Sequence, residues 1–127
     1  MNTAVKMSAI KLKRKSKLLE ITFENGKTFN LSCEFLRVNS PSAEVQGHGN
    51  SILVTHKKNV NIKAIEPIGN YAIKIIFDDG HDTGIFSWKI LHEMGTHYAD
   101  LWEQYLARLR AEKGSREALI DINIKYN

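Results

Sequence analysis

The sequence predicts a small α+β domain: a mainly antiparallel sheet built from two ββα-like units, then a C-terminal amphipathic helix and a candidate final strand. Three observations carry this. The run YAIKIIFDDGHDTGIFSWKIL, Tyr71 to Leu91, alternates Ile73, Ile75 and Phe77 with Ala72, Lys74 and Ile76 and then turns at Asp79-Gly80, which is the period of a strand followed by a hairpin turn. Upstream, Leu19, Ile21 and Phe23 alternate, Asn25-Gly26 turns, and Phe29 and Leu31 return. From Tyr98 the period changes. Leu101, Trp102, Tyr105, Leu106 and Leu109 then follow at helical spacing, one apolar stripe on an amphipathic helix.

Asp-Gly and Asn-Gly supply the positive φ angles that a two-residue hairpin loop needs, so a returning strand through Thr83 to Phe86 is expected. Ser87 stands where a helix N-cap belongs, its hydroxyl placed to accept from an unpaired N–H in the first turn of Trp88 to Met94, with Gly95 as the expected stop. Ser32 plays the same part for Cys33 to Val38. Superposing Gly26 on Gly80 needs one extra residue before the cap and lays Phe35-Leu36 on Ile90-Leu91. This reads either as one unit used twice or as two common hairpins alike by coincidence.

Ala9 to Leu12 is a candidate edge strand and Lys13 to Lys17 a basic turn. Between the units lies an irregular segment in which Pro41 disfavours helix at Ser40, while Ser40 or Ser42 could open a new turn. Ile52 to Thr55 reads as a short strand and His56 to Asn59 as a polar turn. A strand near Lys63 to Ile68 belongs at an edge because it contains Pro67. The last helix spans His97 to Lys113 and closes at Gly114. Ile120, Ile122, Ile124 and Tyr126 alternate with polar residues, a final strand that would extend this molecule's sheet or pair with a neighbour's edge to make a homodimer.

At 127 residues the chain suits one domain,. Residues 1–7 read as a loose start, 8–113 as the domain and 114–127 as a tail. Hydrophobic residues at 43% and charged at 25% are ordinary globular values,. No apolar run approaches the roughly 20 residues of a membrane span, and a cytoplasmic location is the default expectation. Cys33 alone excludes an intramolecular disulfide and a cysteine cluster, and its apolar neighbours suit a packed thiol. Lys6, Lys11, Lys13, Arg14, Lys15 and Lys17 precede any acid, against a whole-chain net charge of +4, so the body is slightly acidic. Such an arm could meet phosphates. It carries no aromatic residue for base stacking, and the better reading is a solvated strand face without nucleic acid.

Chemistry is not written in the motifs. Five histidines include no HExxH pair, His81-Asp82 lacks the His-x-Asp spacing, and there is no G-x-S-x-G, Walker or G-x-G-x-x-G run,. Asp78 and Asp79 suit a hairpin turn. No enzyme is expected, and no catalytic residue. The long 37–49 loop is the first candidate surface, since binding residues concentrate on loops.

The runs LRVNSPSAEVQGHG (Leu36 to Gly49), KKNVNIKAIEPIGNYAIKIIFDDGHDTGIFSW (Lys57 to Trp88) and LWEQYLARL (Leu101 to Leu109) resemble the gamma-butyrobetaine hydroxylase-like N-terminal domain family, in its stand-alone bacterial form. In the hydroxylases this domain precedes an iron- and 2-oxoglutarate-dependent catalytic domain, whose activity does not carry over to this chain. The resemblance also implies a structural zinc site of three cysteines and a histidine. Here the cysteine positions fall on Ser40, Ser42 and Val45 and the histidine on His81, so zinc is not expected. Related domains fused to P-loop ATPases that carry iron–sulfur clusters imply an accessory role in iron or cluster handling, exerted through a partner protein. The resulting expectation is a binding or adaptor domain whose face joins the 37–49 loop to the Asp79–Thr83 turn, with Arg37, Ser40, Glu44, His48, His81 and Asp82 as site residues. The alternative is an iron site on His48 and His81, helped by Glu44 and Asp82.

Overall fold

Ten elements follow one another in the computed structural model, which describes residues 5–47 and 50–119. They are β1 (Met7–Lys13), β2 (Leu18–Phe23), β3 (Thr28–Ser32), α1 (Cys33–Val38), α2 (Ala43–Gln46), β4 (Ile62–Ile68), β5 (Ala72–Phe77), β6 (Gly84–Ser87), α3 (Trp88–Thr96) and α4 (Tyr98–Ala111). The sheet is divided in two, β1-β2-β3 and β4-β5-β6, both antiparallel. No helix among the described residues is long and apolar enough to cross a membrane. His48, the 120–127 tail with its expected strand, and residues 1–4 lie outside the described residues.

The resemblance between the two halves extends to their bonding. In the first sheet Met7 pairs with Phe23 and Ala9 with Thr22, and in the second Ile62 pairs with Phe77 and Ala64 with Ile76, so both opening strands bulge at the same place. Gly26 N–H donates to Phe23 O at 3.0 Å, and Gly80 N–H to Phe77 O at 3.2 Å. Ser32 Oγ accepts from Phe35 N–H at 3.0 Å and Ser87 Oγ from Ile90 N–H at 3.1 Å. The repeated unit is therefore βββα, one strand longer than expected, and one unit used twice is the better reading.

The turns differ from expectation in a way that matters later. Only the glycines have positive φ, +86° and +93°, so each connection is a three-residue loop with a glycine bulge and not a two-residue turn. Asn25 and Asp79 thereby keep ordinary backbone angles and use their side chains. Lys27 N–H donates to Asn25 Oδ1 at 3.0 Å and His81 N–H to Asp79 Oδ1 at 3.1 Å.

Each unit's sheet and turn meet the end of the other unit's helix. A Cβ on Gly95 would overlap the Phe29 ring, and one on Gly84 would sit 2.5 Å from Ser40 Oγ. Gly95 accordingly does not stop α3, which runs on to Thr96; the residue is small because a β3 ring packs on it. Leu19, Ile21, Phe23, Ile73, Ile75 and Phe77 meet Phe35, Leu36 and Leu91 in one core. Cys33 is fully buried there, and burial pushes its thiol up to about 11, so it stays protonated and inert,.

Two further expectations are corrected. Ile52–Thr55 forms no strand; Leu53 and Val54 instead pack beneath α4, whose Tyr105 hydroxyl donates to Val54 O at 2.7 Å. Tertiary packing has overridden a short apolar run. The residue that turns the chain after α4 is Lys113, with φ +56°, while Gly114 N–H closes back on Leu109 O at 2.8 Å,. Gly114 is small because a Cβ there would press on Leu109 and Thr55. Beyond it, Arg116 grips Glu34 through two hydrogen bonds of 2.8 Å and lies over the Trp102 ring, fastening the start of the tail to α1.

Candidate functional site

Ser42 is the serine that opens the new turn, its Oγ accepting from Glu44 N–H at 3.2 Å to start α2. The resulting loop folds against the β5–β6 turn. Ser40 Oγ lies 2.9 Å from His81 Nε2, Glu44 Oε2 lies 3.1 Å from His81 Nδ1, and Ser42 and Thr83 share a hydroxyl–hydroxyl bond of 2.5 Å. Arg37 Nε donates to Asp79 Oδ2 at 2.8 Å, and Lys57 Nζ reaches the same oxygen at 2.7 Å. The two segments expected to form one face are in contact.

The electrostatics follow from crowding. Burial lowers the His81 pKa from its usual 6.5, and the Arg37 cation lowers it further, against the opposing pull of Glu44 and Asp79,. The imidazole is therefore neutral near pH 7. The tautomer that satisfies both neighbours has Nδ1–H donating to Glu44 and Nε2 accepting the Ser40 O–H. Burial works to raise the Asp79 carboxyl, yet bonds from Lys57, the His81 N–H and Arg37 outweigh it and hold that group at about 2,. Arg37 Nη1 is buried with no hydrogen-bond partner among the described residues, an unused donor at the junction.

Ser40, His81 and Glu44 share the connectivity of a hydrolase triad, but the Ser40 hydroxyl is 0% exposed and Gly84 presses against it. An acyl carbon has no approach to it. Metal chemistry fares no better. The four positions that the resemblance implies for zinc ligands, 40, 42, 45 and 81, carry two hydroxyls, an isopropyl group and one imidazole, with Nε2 already taken by Ser40. That set does not fit zinc. Among the described residues no three His, Cys, Asp or Glu side chains converge at metal-holding distance.

Of the expected site residues, Arg37, Ser40, Glu44 and His81 enter one network. Asp82 sits exposed beside it, in no hydrogen bond among the described residues. Glu44 is the network's outward member, its side chain 62% exposed. Missed from the sequence were Lys57, taken for a polar turn residue, and Asp79 as a charged anchor. The repeat held a signal for the second: superposition places Asp79 on Asn25 and Arg37 on His92, and Asn25 Nδ2 lies 3.2 Å from His92 Nε2. Beside the network, Val38, Val45, Gln46, Leu53, Tyr105 and Arg108 line a cleft of roughly 290 Å³.

The chain is similar to two proteins with NMR solution structures. One is 63% identical, covering 100% of this chain and 98% of that one at a TM-score of 0.80; the other is 45% identical, covering 94% and 96% at 0.81. A crystal structure of a protein of unknown function from Acidithiobacillus ferrooxidans, assigned to the DUF971 family, is 33% identical over 71% of this chain and 92% of that one, at a TM-score of 0.61. No curated protein matches. Residues 10–92 match the family described as gamma-butyrobetaine hydroxylase-like, N-terminal. The chain belongs to that family.

Proposed function

We propose that this chain is a non-enzymatic binding module, an adaptor for another protein, whose recognition face is α2 with Glu44, the neighbouring Asp82, and the cleft that Val45 and Gln46 of α2 help to line. The observation that carries this reading is the set of bonds from Arg37, Ser40, Ser42 and Glu44 to Asp79, His81 and Thr83. A polar loop with no bulky core of its own is held in one conformation by them, which lowers the ordering cost on binding. Arg37, Ser40 and His81 act in this reading as positioning residues, while Glu44 and Asp82 meet the partner. An accessory role in iron or iron–sulfur handling would run through that partner, since the chain's single thiol is buried.

Affinity capture from cell lysate tests this with Glu44→Gln/Asp82→Lys, in which glutamine keeps an acceptor for His81 Nδ1 while the outward negative charges are removed. The reading requires that at least one partner captured by the wild type be lost while thermal unfolding is unchanged. Retention of every partner would overturn it. Metal analysis of the same material separates the adaptor from an iron-binding protein, for which about one equivalent of iron is required.

A further inference from the structure

Each half leaves its opening strand paired on one side only, β1 with β2 and β4 with β5. The two strands meet at one end, where Arg14 Nη2 donates to Lys63 O at 2.9 Å and Asn61 Nδ2 to Arg14 O at 3.0 Å. Beyond that contact no strand pairing joins them among the described residues, and a groove of roughly 470 Å³ opens between them, within the size range of small-molecule sites,. Ile10, Leu12 and Ile65 line it while packing on the main core, and Ile73 reaches it from that core, so the fold fixes its floor. Trp88 lines it toward the β4–β5 turn, its indole N–H donating to Asn70 O at 2.9 Å. Ile10, Leu12, Ile65 and Trp88 are only half-buried, which leaves apolar surface to be covered,.

The charges indicate the occupant. Arg14 is the one charged residue among those lining the groove, and its bond to Lys63 O uses one N–H of the guanidinium fork,. Lys13, Lys15, Lys17 and Lys63 surround that end. They outnumber the acids there, Glu20, which Lys13 holds at 3.6 Å, and Asp78, which accepts from the Asn61 N–H at 3.0 Å. The repeat shows that the cation is particular to one unit: the register that matches Met7 to Ile62 and Lys13 to Ile68 puts Gly69 in the place of Arg14. The end toward Trp88 is lined by Met7 and Pro67, with no charge. An apolar slot with a cation at one end is complementary to a single-chain amphiphile with an anionic head. We propose that the groove between β1 and β4 binds a fatty-acid-type ligand, its carboxylate on Arg14 and its alkyl chain running along Ile10, Leu12 and Ile65 toward Trp88. The site shares no lining residue with the cleft beside α2 and is independent of that recognition face.

The test titrates the full chain with decanoate and, separately, with decanol, followed by amide-resolved NMR that includes the Trp88 indole N–H. Expected for decanoate are saturable shifts centred on β1, β4 and Trp88, with a Kd of about 1 mM or tighter. Decanol should bind at the same place at least about fivefold more weakly, since it lacks the charge that Arg14 meets. Arg14→Gln, at an exposed position, should lower the affinity for decanoate by at least about fivefold and leave that for decanol unchanged. If that variant unfolds, the comparison of the two ligands on the wild type decides. Four results would each overturn the proposal. They are no saturable shift at about 5 mM decanoate, well above the expected Kd; shifts centred outside the groove; equal affinity for the two ligands; and a response to phosphatidylglycerol vesicles without one to decanoate, which would mark a membrane surface as the occupant. Groove signals that move with protein concentration, or on deletion of residues 120–127, and not with decanoate would assign it to a second copy or to the tail, and would overturn the proposal as well.

Discussion

The two turn–helix junctions occupy equivalent places and are built from opposite chemistry. At one, the side-chain amide of Asn25 meets His92, and the His92 ring stacks edge-on against Phe23 and Phe29. At the other, Asp79 is gripped by Arg37 and Lys57, and the Phe29 position is Gly84, which opens room for Ser40 and His81. One backbone thus holds an aromatic plug at one end and a hydrogen-bonded polar network at the other. A duplicated fold can keep one junction for stability while the other diverges. The polar one carries the long loop.

The helices divide in the same way. Glu34 on α1 is 6% exposed and paired with Arg116, whereas its counterpart on α3, Lys89, is exposed. The largest effect is therefore expected from Arg116→Ala, which strands a buried carboxylate and should lower unfolding free energy in urea by about 3 kcal/mol. Lys89→Ala should stay within about 0.5 kcal/mol. Next comes the junction pair itself. Arg37→Ala should cost about 2 kcal/mol, since it removes a charge-assisted bond at a mostly buried carboxylate, while Asn25→Ala should cost under about 1 kcal/mol. Equal costs at the two junctions would dissolve the contrast. Gly95→Ala in α3 would gain up to about 1 kcal/mol from helix propensity, but the Phe29 ring should reverse the sign to a net loss of about 1 to 2 kcal/mol. A differential melt that found this variant stabilised would show that the ring can move aside.

The smallest and most selective effect is in pH. His81 titrates below 6.5 when folded and near 6.5 when unfolded, so the unfolded chain takes up a proton first as pH falls. Stability contributed by the neutral ring is complete above that range and is lost as pH drops through it. Asp79, held at about 2 against its usual 3.8, loses its contribution in a separate and more acid window,. His81→Gln should flatten the first window in a plot of unfolding free energy against pH and leave the second. A profile unchanged below pH 6.5 would place His81 outside the energetics of the junction.

Much of this molecule was legible before any coordinates. Alternation, Gly turns and serine caps act through neighbours a few residues apart, so β2, β3, α1, β5, β6 and the start of α3 are written locally. The pairing of the 37–49 loop with the 79–83 turn was an expectation resting on polar composition, and in the described part of that loop Arg37, Ser40 and Glu44 make bonds to the turn. Ile52–Thr55 was misread because apolar side chains covered by α4 leave the same mark as those in a strand. Gly95 was misread because a helix stop and a close ring contact both ask for a missing side chain.

By itself the sequence determined the ββα core of each half, since caps and strand period are decided over short stretches of chain, while the third strand and the bulge that make the halves one repeated unit came from the strand pairing. It also determined the donor types at 40, 42, 45 and 81, two hydroxyls, an isopropyl group and an imidazole, since these reside in the residues themselves. Only the tertiary structure decided that the two units exchange helix contacts, that Asp79 gathers Arg37 and Lys57, and that Arg116 reaches Glu34. These partners lie dozens of residues apart, and contacts at that separation depend on how whole sheets and helices pack, which no local pattern records.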